Sequence, residues 1–358
     1  MKILHLQLEL NNSCGITRTV YLLNKNLGDG FVQYVAVLGG DAINKFHDIN
    51  IHPYLLKYKR YSIFGDIKIL LWLIRFCKRN NIDIIHSHHR YFDFLSRVIK
   101  YFYPVRTVVS VHSKVAGLKW LSYLSDELIA CSGAIRNHLK DNFGIDSGRI
   151  TVINNFVDTT IFCEGKSKQE LRRELKITDD TFIIGFVGRM SIAEKGIDIL
   201  LNAVRELSFK NKNILLILIG MGEDDNYVKT YITENKLNVM FLGAIQDVRD
   251  YYSVFDVAVL PSNVEPFGLI AIEAGIMGCP FIGSRVDGIA ELIEDEKDGL
   301  LFEKGDTNGL VEKIKSIIND PEYAAKLASN LRNKVAAKYT QDTIIPEYER
   351  FYQRVNAG

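Results

Sequence analysis

Residues 261–280 read PSNVEPFGLIAIEAGIMGCP, and the fold follows from what stands on either side of them. Upstream, VFDVAVLPS (254–262) is a short apolar run that stops at Pro261, as a buried strand does. Downstream, Gly278-Cys279-Pro280 interrupts the chain before a second strand-like run, PFIGS. Strand, glycine-bearing loop, short helix and strand, in that order, make a βα corner of a parallel sheet, whose carboxyl edge binds ligands. Glu265 falls on the loop. Glu273, eight residues on, falls about two turns into the helix and near the same face. The N–H groups at a helix start point outward and suit anionic or hydroxyl-rich ligands. Carboxylates only accept hydrogen bonds, so two of them in so apolar a stretch need donors, and sugar hydroxyls are good ones. The plainer reading is that Glu265 caps the helix and Glu273 forms a surface ion pair.

The same alternation runs outward in both directions. Toward the N-terminus it gives FIIGFVGR (182–189), a helix over 196–208, NILLILIGMG (213–222), a helix over 224–235, VMFLGA (239–244) and a helix near 247–254. An earlier series comprises KILHLQLEL (2–10), the loop NNSCGI, the helical run TRTVYLLNKNL, FVQYVAVLG (31–39), a helix over 65–79, IDIIHSHH (82–89), RTVVSVHS (106–113), DELIACS (126–132) and RITVINN (149–155). Strands alternating with helices predict an α/β fold, with parallel sheets wrapped by helices. The predicted organisation is two such domains, 1–158 and 181–339, joined by a polar linker with a short helix over 159–180. A final amphipathic helical segment follows, in which Pro346 should kink or restart a helix.

The 358 residues suffice for two domains with substantial cores, and 47% hydrophobic and 24% charged content is ordinary for a globular protein. The net charge of +1 conceals an asymmetry: residues 1–158 carry +8 and residues 159–358 carry −7. A basic first half favours anionic partners. The five cysteines are scattered with no CxxC spacing, so neither a disulfide framework nor a cysteine metal site is expected, and a reducing cytosol is the natural setting. Met1-Lys2 runs directly into a strand pattern rather than a signal peptide. No apolar run has the length of a membrane span.

Phe186-Val187-Gly188-Arg189 ends the first strand of the second domain, and Lys195-Gly196 lies just before a helix. A planar guanidinium and a point-charge ammonium both suit a diphosphate, and the glycines permit close backbone approach. Two solvated surface cations are the alternative. Gly220-Met221-Gly222 invites a dinucleotide fingerprint, but residues 223–225 are all acidic and would repel a pyrophosphate. It reads as a turn, and a nicotinamide oxidoreductase is disfavoured. In the first domain, Gly15 lies between the first strand and helix. His86, His88, His89 and His112 stand at carboxyl ends of strands, the ligand edge of such sheets. With no carboxylate at matching spacing and no Asp-x-Asp pair, the histidines read as sheet-edge residues and no metal is expected. Residues 54–79 mix Lys57, Lys59, Arg60, Lys68, Arg75, Lys78 and Arg79 with Tyr54, Tyr58, Tyr61, Phe64, Trp72 and Phe76. That composition suits an anionic membrane surface, or equally a solvated helix whose aromatics face the core. No nucleic-acid-binding module is recognisable, and no nucleic-acid partner is expected.

The motifs together resemble glycosyltransferase family 4, the GT-B fold of two Rossmann-like domains facing across a cleft. The most specific is Glu265-x7-Glu273 within PSNVEPFGLIAIEA; FVGR (186–189), EKG (194–196), FLG (241–243), GCPFI (278–282), DGL (298–300), DIIHSH, VVSVHS and INNFVD (153–158) support it. The resemblance implies retaining hexosyl transfer from a nucleotide diphosphate sugar without a required metal or other cofactor. Under it, Arg189 and Lys195 bind the diphosphate and stabilise the leaving group, Glu265 faces the transferred sugar and Glu273 binds the ribose. Phe267, Gly268 and Leu269 supply N–H groups, and His112 lies near the reaction centre. Gly15, Gly188, Leu242 and Gly243 join the donor site. The acceptor falls to the first domain, to which the final helix (340–358) is expected to cross back. The first loop, Ser13-Cys14-Gly15-Ile16-Thr17, lacks the family's paired glycines; Phe156 stands for a glycine at the hinge, and Asp287-Gly288 for two glycines.

Breaking a glycosyl–phosphate bond leaves positive charge on the sugar and negative charge on the diphosphate, which fixed cations stabilise. No well-placed nucleophile is evident, which favours attack on the leaving-group face. The expectation is therefore a cytoplasmic glycosyltransferase, peripheral on the inner face of the membrane. It would move sugar from a nucleotide donor, UDP-linked before GDP-linked, to a lipid-linked or cell-envelope glycan such as O-antigen or capsule. A GT-B enzyme making a soluble glycoside, and a catalytically silent nucleotide-sugar-binding protein, are the alternatives.

Overall fold

The computed structural model describes residues 1–12, 14–58, 60–163, 165–210 and 213–357, with side chains omitted at 209 and 210. Ser13, Lys59 and Glu164, which belong to the first loop, the basic segment and the linker of the sequence reading, lie outside the described residues. The chain forms two compact units, Met1–Asn155 with Asp342–Gly358, and Phe156–Gln341.

The first unit holds β1 (Lys2–Glu9), α1 (Gly15–Asn26), β2 (Val32–Gly39), β3 (Tyr54–Leu55), α2 (Ile63–Asn80), β4 (Ile84–Ser87), α3 (Arg90–Ile99), β5 (Arg106–Val111), β6 (Glu127–Ala130), α4 (Gly133–Phe143) and β7 (Ile150–Val152). Among the described residues its sheet runs β3-β2-β1-β4-β5-β6-β7, every pairing parallel. Order reverses between β1 and β4, so that crevice, at the carboxyl ends of both strands, is the switch point where open α/β sheets take ligands. Leu4, Leu6, Ala36 and Ile85 of the sheet pack on Leu73, Phe76 and Cys77 of α2 and Phe92 and Ile99 of α3. Central strands covered by helices on both faces are buried on both sides, which is why β4 and β5 are buried along almost their whole length, and their polar members His86 and Ser110 bond to each other.

The second unit holds α5 (Lys168–Glu174), β8 (Phe182–Val187), α6 (Ile192–Lys195), α7 (Ile197–Lys210), β9 (Ile214–Ile219), α8 (Asp225–Glu234), β10 (Val239–Gly243), α9 (Arg249–Val254), β11 (Val257–Leu260), α10 (Leu269–Ile276), β12 (Phe281–Ser284), α11 (Asp287–Leu292), β13 (Leu300–Phe302), α12 (Thr307–Asn319) and α13 (Pro321–Lys338). Its parallel sheet runs β10-β9-β8-β11-β12-β13, with the switch point between β8 and β11. The stretch quoted first, 261–280, leaves β11 at that point. It then forms α10, which lies against α13 so closely that a Cβ on Gly275 would stand 2.8 Å from Leu331 and Val335.

Two boundaries differ from the sequence reading. Residues 159–180 are not a free linker but part of the second unit. The buried Arg172 of α5 explains this: it donates to the carbonyls of Thr178 and Thr181 and to Asp256, tying the segment to the start of β8 and the approach to β11. Pro346 does not restart a helix, since α14 (Gln341–Ala357) runs through it. It stands in the second turn, where its missing N–H costs one bond. Residues 342–357 of α14 group with the first unit. Tyr348, Phe351, Tyr352 and Val355 are buried there, Arg354 bonds Glu127 and Thr151, and Glu349 accepts from the Gly28 N–H.

Candidate active site

In the second unit, the groups singled out by sequence gather at the β8/β11 switch point. Asn263 and Val264 donate their N–H groups to the Glu194 carbonyl (2.8 and 3.2 Å), and the Asn263 amide donates to the Ile192 carbonyl, locking the loop after β11 to α6. Gly196 ends α6 in the left-handed region (φ 59°), where a Cβ would stand 2.2 Å from the Pro261 carbonyl oxygen. That lock delivers Lys195 to Glu265: Nζ donates to Oε2 at 2.5 Å, and Ser262 Oγ donates to the same oxygen at 3.3 Å. The Glu265 backbone is held by Asp287, whose carboxylate accepts its N–H, and by the Gly288 N–H, which donates to its carbonyl. Asp287-Gly288 thus has a place in the site that sequence did not assign. A Cβ on Gly288 would stand 2.4 Å from the Phe267 Cα.

Gly268 adopts φ 106° and opens α10, whose first turn has N–H groups without intrahelical acceptors. Leu269 begins that turn. Phe267 contributes backbone there, while its ring is buried against Tyr339. Glu273 is only 1% exposed and accepts from the Tyr252 hydroxyl at 2.9 Å, so it is no surface ion pair. Nor is Glu265 a helix cap, because α10 has no side-chain cap and Glu265 is spent on Lys195. Arg189 lies beside Glu194 and 4.0 Å from Glu223. Gly188, Gly220 and Gly243 end β8, β9 and β10 side by side. A Cβ on Gly220 would stand 1.9 Å from the Gly188 carbonyl oxygen and one on Gly222 2.2 Å from that of Met190, which accounts for the Gly-x-Gly spacing as close packing. Leu242 and Gly243 follow on the edge strand, and the Gly243 carbonyl accepts the Gly220 N–H.

His112 and Gly15 belong to the first unit. Gly15 is the first residue of α1, which begins without a side-chain cap. His112 follows β5 at the end of a histidine cluster. His5 and His86 face each other across the β1/β4 pairing. His5 Nδ1 and His88 Nε2 are 3.2 Å apart, and His88 Nδ1 and His112 Nε2 3.4 Å apart. His86 bonds the Tyr352 hydroxyl through Nδ1 (2.7 Å) and Ser110 Oγ through Nε2 (2.8 Å). Burial lowers His5 to about 3 and His112 to about 4 and drives His86 and His88 well below the ordinary imidazole value, so all four are neutral near pH 7. Ring nitrogens of His5, His86 and His88 lie within 4.8 Å of one another, a spacing at which imidazoles can ligate a metal. Both nitrogens of His86 are bonded to protein groups and His5 Nδ1 faces His88 Nε2, while His5 Nε2 has no partner among the described residues. Sequence reasoning grouped His86, His88 and His89. The structure replaces His89, whose side chain caps α3, with His5, which stood unremarked inside a strand.

The aromatic residues of 54–79 divide between the two readings. Trp72 stacks on Phe76 within the core, while Ile63 and Phe64 are 78% and 80% exposed at the start of α2, next to exposed Tyr61 and Ile67. No helix of the described residues is long and apolar enough to cross a membrane.

Two parallel-sheet Rossmann-like domains in one chain define the GT-B class. Anabaena HepE, crystallised with UDP-glucose, superposes with a TM-score of 0.89 at 20% identity over 99% of this chain and 100% of its own. The chain belongs to glycosyltransferase family 4: the Glycosyltransferase Family 4 profile matches residues 15–161 and Glycosyl transferases group 1 matches 167–334. It is thus a glycosyltransferase. Among its relatives, the capsular polysaccharide biosynthesis glycosyltransferase CapM of Staphylococcus aureus is 25% identical over 354 residues, 93% of this chain and 91% of its own. N-acetyl-alpha-D-glucosaminyl L-malate synthase of Bacillus anthracis is 25% identical over 87% of this chain and 84% of its own.

Proposed function

We propose that the protein transfers a hexose, with retention, from a nucleotide diphosphate sugar to a lipid-linked or cell-envelope glycan. The observation that carries this is the Lys195–Glu265 pair at the β8/β11 switch point, beside the uncapped start of α10. Donor diphosphate takes Lys195 and Arg189, with the N–H groups from Gly268 and Leu269 on nearby oxygens. As the glycosyl–phosphate bond breaks, these fixed donors meet the charge that develops on the leaving diphosphate. Glu265, freed from Lys195 by the arriving phosphate, turns to the sugar hydroxyls. Glu273, oriented by Tyr252, takes the ribose. With no nucleophile assigned on the sugar's far face, attack comes from the leaving-group face, and no metal is required. The nucleotide is UDP before GDP, and HepE's ligand makes UDP-glucose the first probe.

The acceptor class rests on CapM's role in capsule synthesis and on the first unit's surface. Ile63, Phe64 and Ile67 lie exposed in the same segment as the exposed Lys57, Lys68 and Arg75, so the segment offers both apolar side chains and positive charge to an anionic inner-leaflet surface. The N-acetyl-alpha-D-glucosaminyl L-malate synthase relative supports a second reading, a soluble glycoside as product. Thermal-shift screening with UDP, GDP, ADP and their sugars identifies the donor. Transfer to membrane extracts against soluble acceptors, with the anomeric configuration read by NMR, then decides acceptor class and stereochemistry. Inverted product would refute retention; tight nucleotide binding without turnover on any acceptor would refute the enzyme reading of this site.

A further inference from the structure

We propose that Asp287 is a positioning residue for Glu265: its carboxylate, presented from left-handed backbone, accepts the Glu265 N–H and fixes the main chain from which the Glu265 carboxylate changes partner. The proposal rests on the reading that Glu265 turns from Lys195 to the transferred sugar. Glu265 stands on the loop after β11, and the loop after β12 engages both of its backbone groups. Its N–H donates to Asp287 Oδ2 at 3.2 Å, and its carbonyl accepts the Gly288 N–H at 3.0 Å. Ser284 Oγ donates to the Ser262 carbonyl at 2.5 Å and extends the same seam. On its other side the loop is tied at Asn263 and Val264 to the Glu194 carbonyl. Asp287 therefore holds the amide of Glu265 itself, while the loop around it has ties of its own.

The backbone at 287 shows that this side chain has a task. Asp287 has φ 41°, in the left-handed region. Lys176 and Lys236 of the same unit also lie there, but each stands just past the end of a helix, α5 or α8, where such a residue commonly closes the last turn. Asp287 instead opens α11, and starting a helix does not call for it. Only glycine, asparagine and aspartate visit this region readily. Glycine would relieve the strain and bring no acceptor. Gly288 cannot supply one either, since a Cβ there would stand 2.4 Å from the Phe267 Cα and 2.6 Å from the Pro266 carbonyl oxygen. Strain of this kind persists where the surrounding structure holds it, often at a functional site. The benefit is positional. Glu265 is 8% exposed, and its Oε2 accepts from Lys195 and Ser262. A rotation of its side chain reaches the sugar usefully only if its Cα stays in place, because a misplacement of about 1 Å can cost ~10²-fold in rate.

The test uses the full chain and two readouts. Hydrogen exchange resolved by NMR reads the hold directly. Asp287→Gly should speed exchange of the Glu265 amide about tenfold or more and leave Asn263 and Val264 protected. Asp287→Asn tolerates the same backbone and keeps an acceptor oxygen, so it should restore the protection. Because glycine relieves the strain, Asp287→Gly should melt within about 5 °C of the unmodified protein. Turnover is read as UDP release from UDP-glucose, with a membrane extract as the source of acceptor. Asp287→Gly should lower kcat about tenfold with affinity for UDP within about twofold, and Asp287→Asn should recover most of the loss. In a Glu265→Ala background Asp287→Gly should add less than about twofold, because no carboxylate is left to position. An equally protected Glu265 amide in Asp287→Gly overturns the proposal, as does kcat within about twofold of the unmodified protein. Loss of UDP binding or a larger fall in melting temperature overturns it by making Asp287 a general support of the fold. No recovery in Asp287→Asn overturns it by making the effect one of charge. Full UDP release in Glu265→Ala, or none from the unmodified protein, overturns instead the reading of Glu265 at the sugar, and the exchange result then stands alone.

Discussion

Lowering the pH from 7 to 5 should destabilise the first unit strongly while sparing the second. All eight histidines lie between residues 5 and 138, so the second unit has none. Burial lowers His5 to about 3 and holds His86 and His88 well below the ordinary imidazole range. The sign follows from linkage: the folded state refuses these protons and the unfolded state takes them from pH ~6.5 downward, so stability falls as pH falls, from that point until the folded rings titrate. For a ring held at about 3, as His5 is, the loss between pH 7 and 5 is about 1.9 kcal/mol, and His112 and His89, each at about 4, and the buried His86 and His88 add to it in the same direction, for a total of several kcal/mol. That is comparable with the whole stability of an ordinary domain, ~5–15 kcal/mol. Asp93, Glu127 and Glu347, whose carboxyls burial pushes upward, bind protons in the opposite sense and offset part of the loss. Urea unfolding at the two pH values, followed by hydrogen exchange resolved along the chain, measures it. The midpoint for residues 1–155 and 342–357 should drop by about 2–3 M urea, given a slope of ~2–3 kcal/mol/M. His88→Gln should remove one ring's share of the effect. A change below about 1 kcal/mol, or an equal loss of protection in the second unit, would refute the assignment of neutral buried rings.

At the donor site, Lys195→Ala and Arg189→Ala should each lower kcat by roughly 10²-fold or more, and steady-state assay with the identified donor reads this directly; unchanged kinetics in both would remove the diphosphate from β8 and α6. Ile63→Glu with Phe64→Glu should abolish flotation with anionic liposomes and leave stability within about 0.5 kcal/mol, because both side chains are exposed; flotation equal to that of the unmodified protein would place membrane contact elsewhere. Gly220→Ala (φ 129°, with the Gly188 oxygen in its path) should cost about 2–4 kcal/mol, against about 1 kcal/mol for Gly243→Ala, which has φ 69° and open space around its Cβ. Urea titration separates the two, and equal costs would mean that the β8 and β9 ends do not touch.

The alternation of strands and helices was legible throughout because parallel strands buried on both faces carry continuous apolar runs such as ILLILI, with glycine or acidic turns between them. The linker was misread for a physical reason. Its residues are polar, and what ties them down is a buried arginine whose partners are mostly backbone carbonyls. Local composition does not disclose such bonds. Pro346 does not restart the helix as one of its two readings had it: a residue that breaks helix interiors is tolerated in the second turn of a helix anchored by buried Tyr348 and Tyr352.

The carboxylate pair shows where sequence spacing stops informing. Spacing placed Glu265 and Glu273 on one corner but not what each faces. Glu265 meets Lys195 because the loop after β11 is bonded to α6, seventy residues earlier in the chain, and Glu273 meets Tyr252 of α9. The two therefore differ in how they can change partner. On the proposed donor reading, Lys195 is a cation that an arriving diphosphate would draw away, and Glu265 would then exchange a charged donor for sugar hydroxyls at little electrostatic cost. Tyr252 has no charge to lose to the ligand, so Glu273 keeps that bond, and its orientation is fixed before the nucleotide arrives. On that reading, selectivity for the carrier at Glu273 would thus be built in advance, while contact with the sugar at Glu265 would be released by the phosphate that accompanies it.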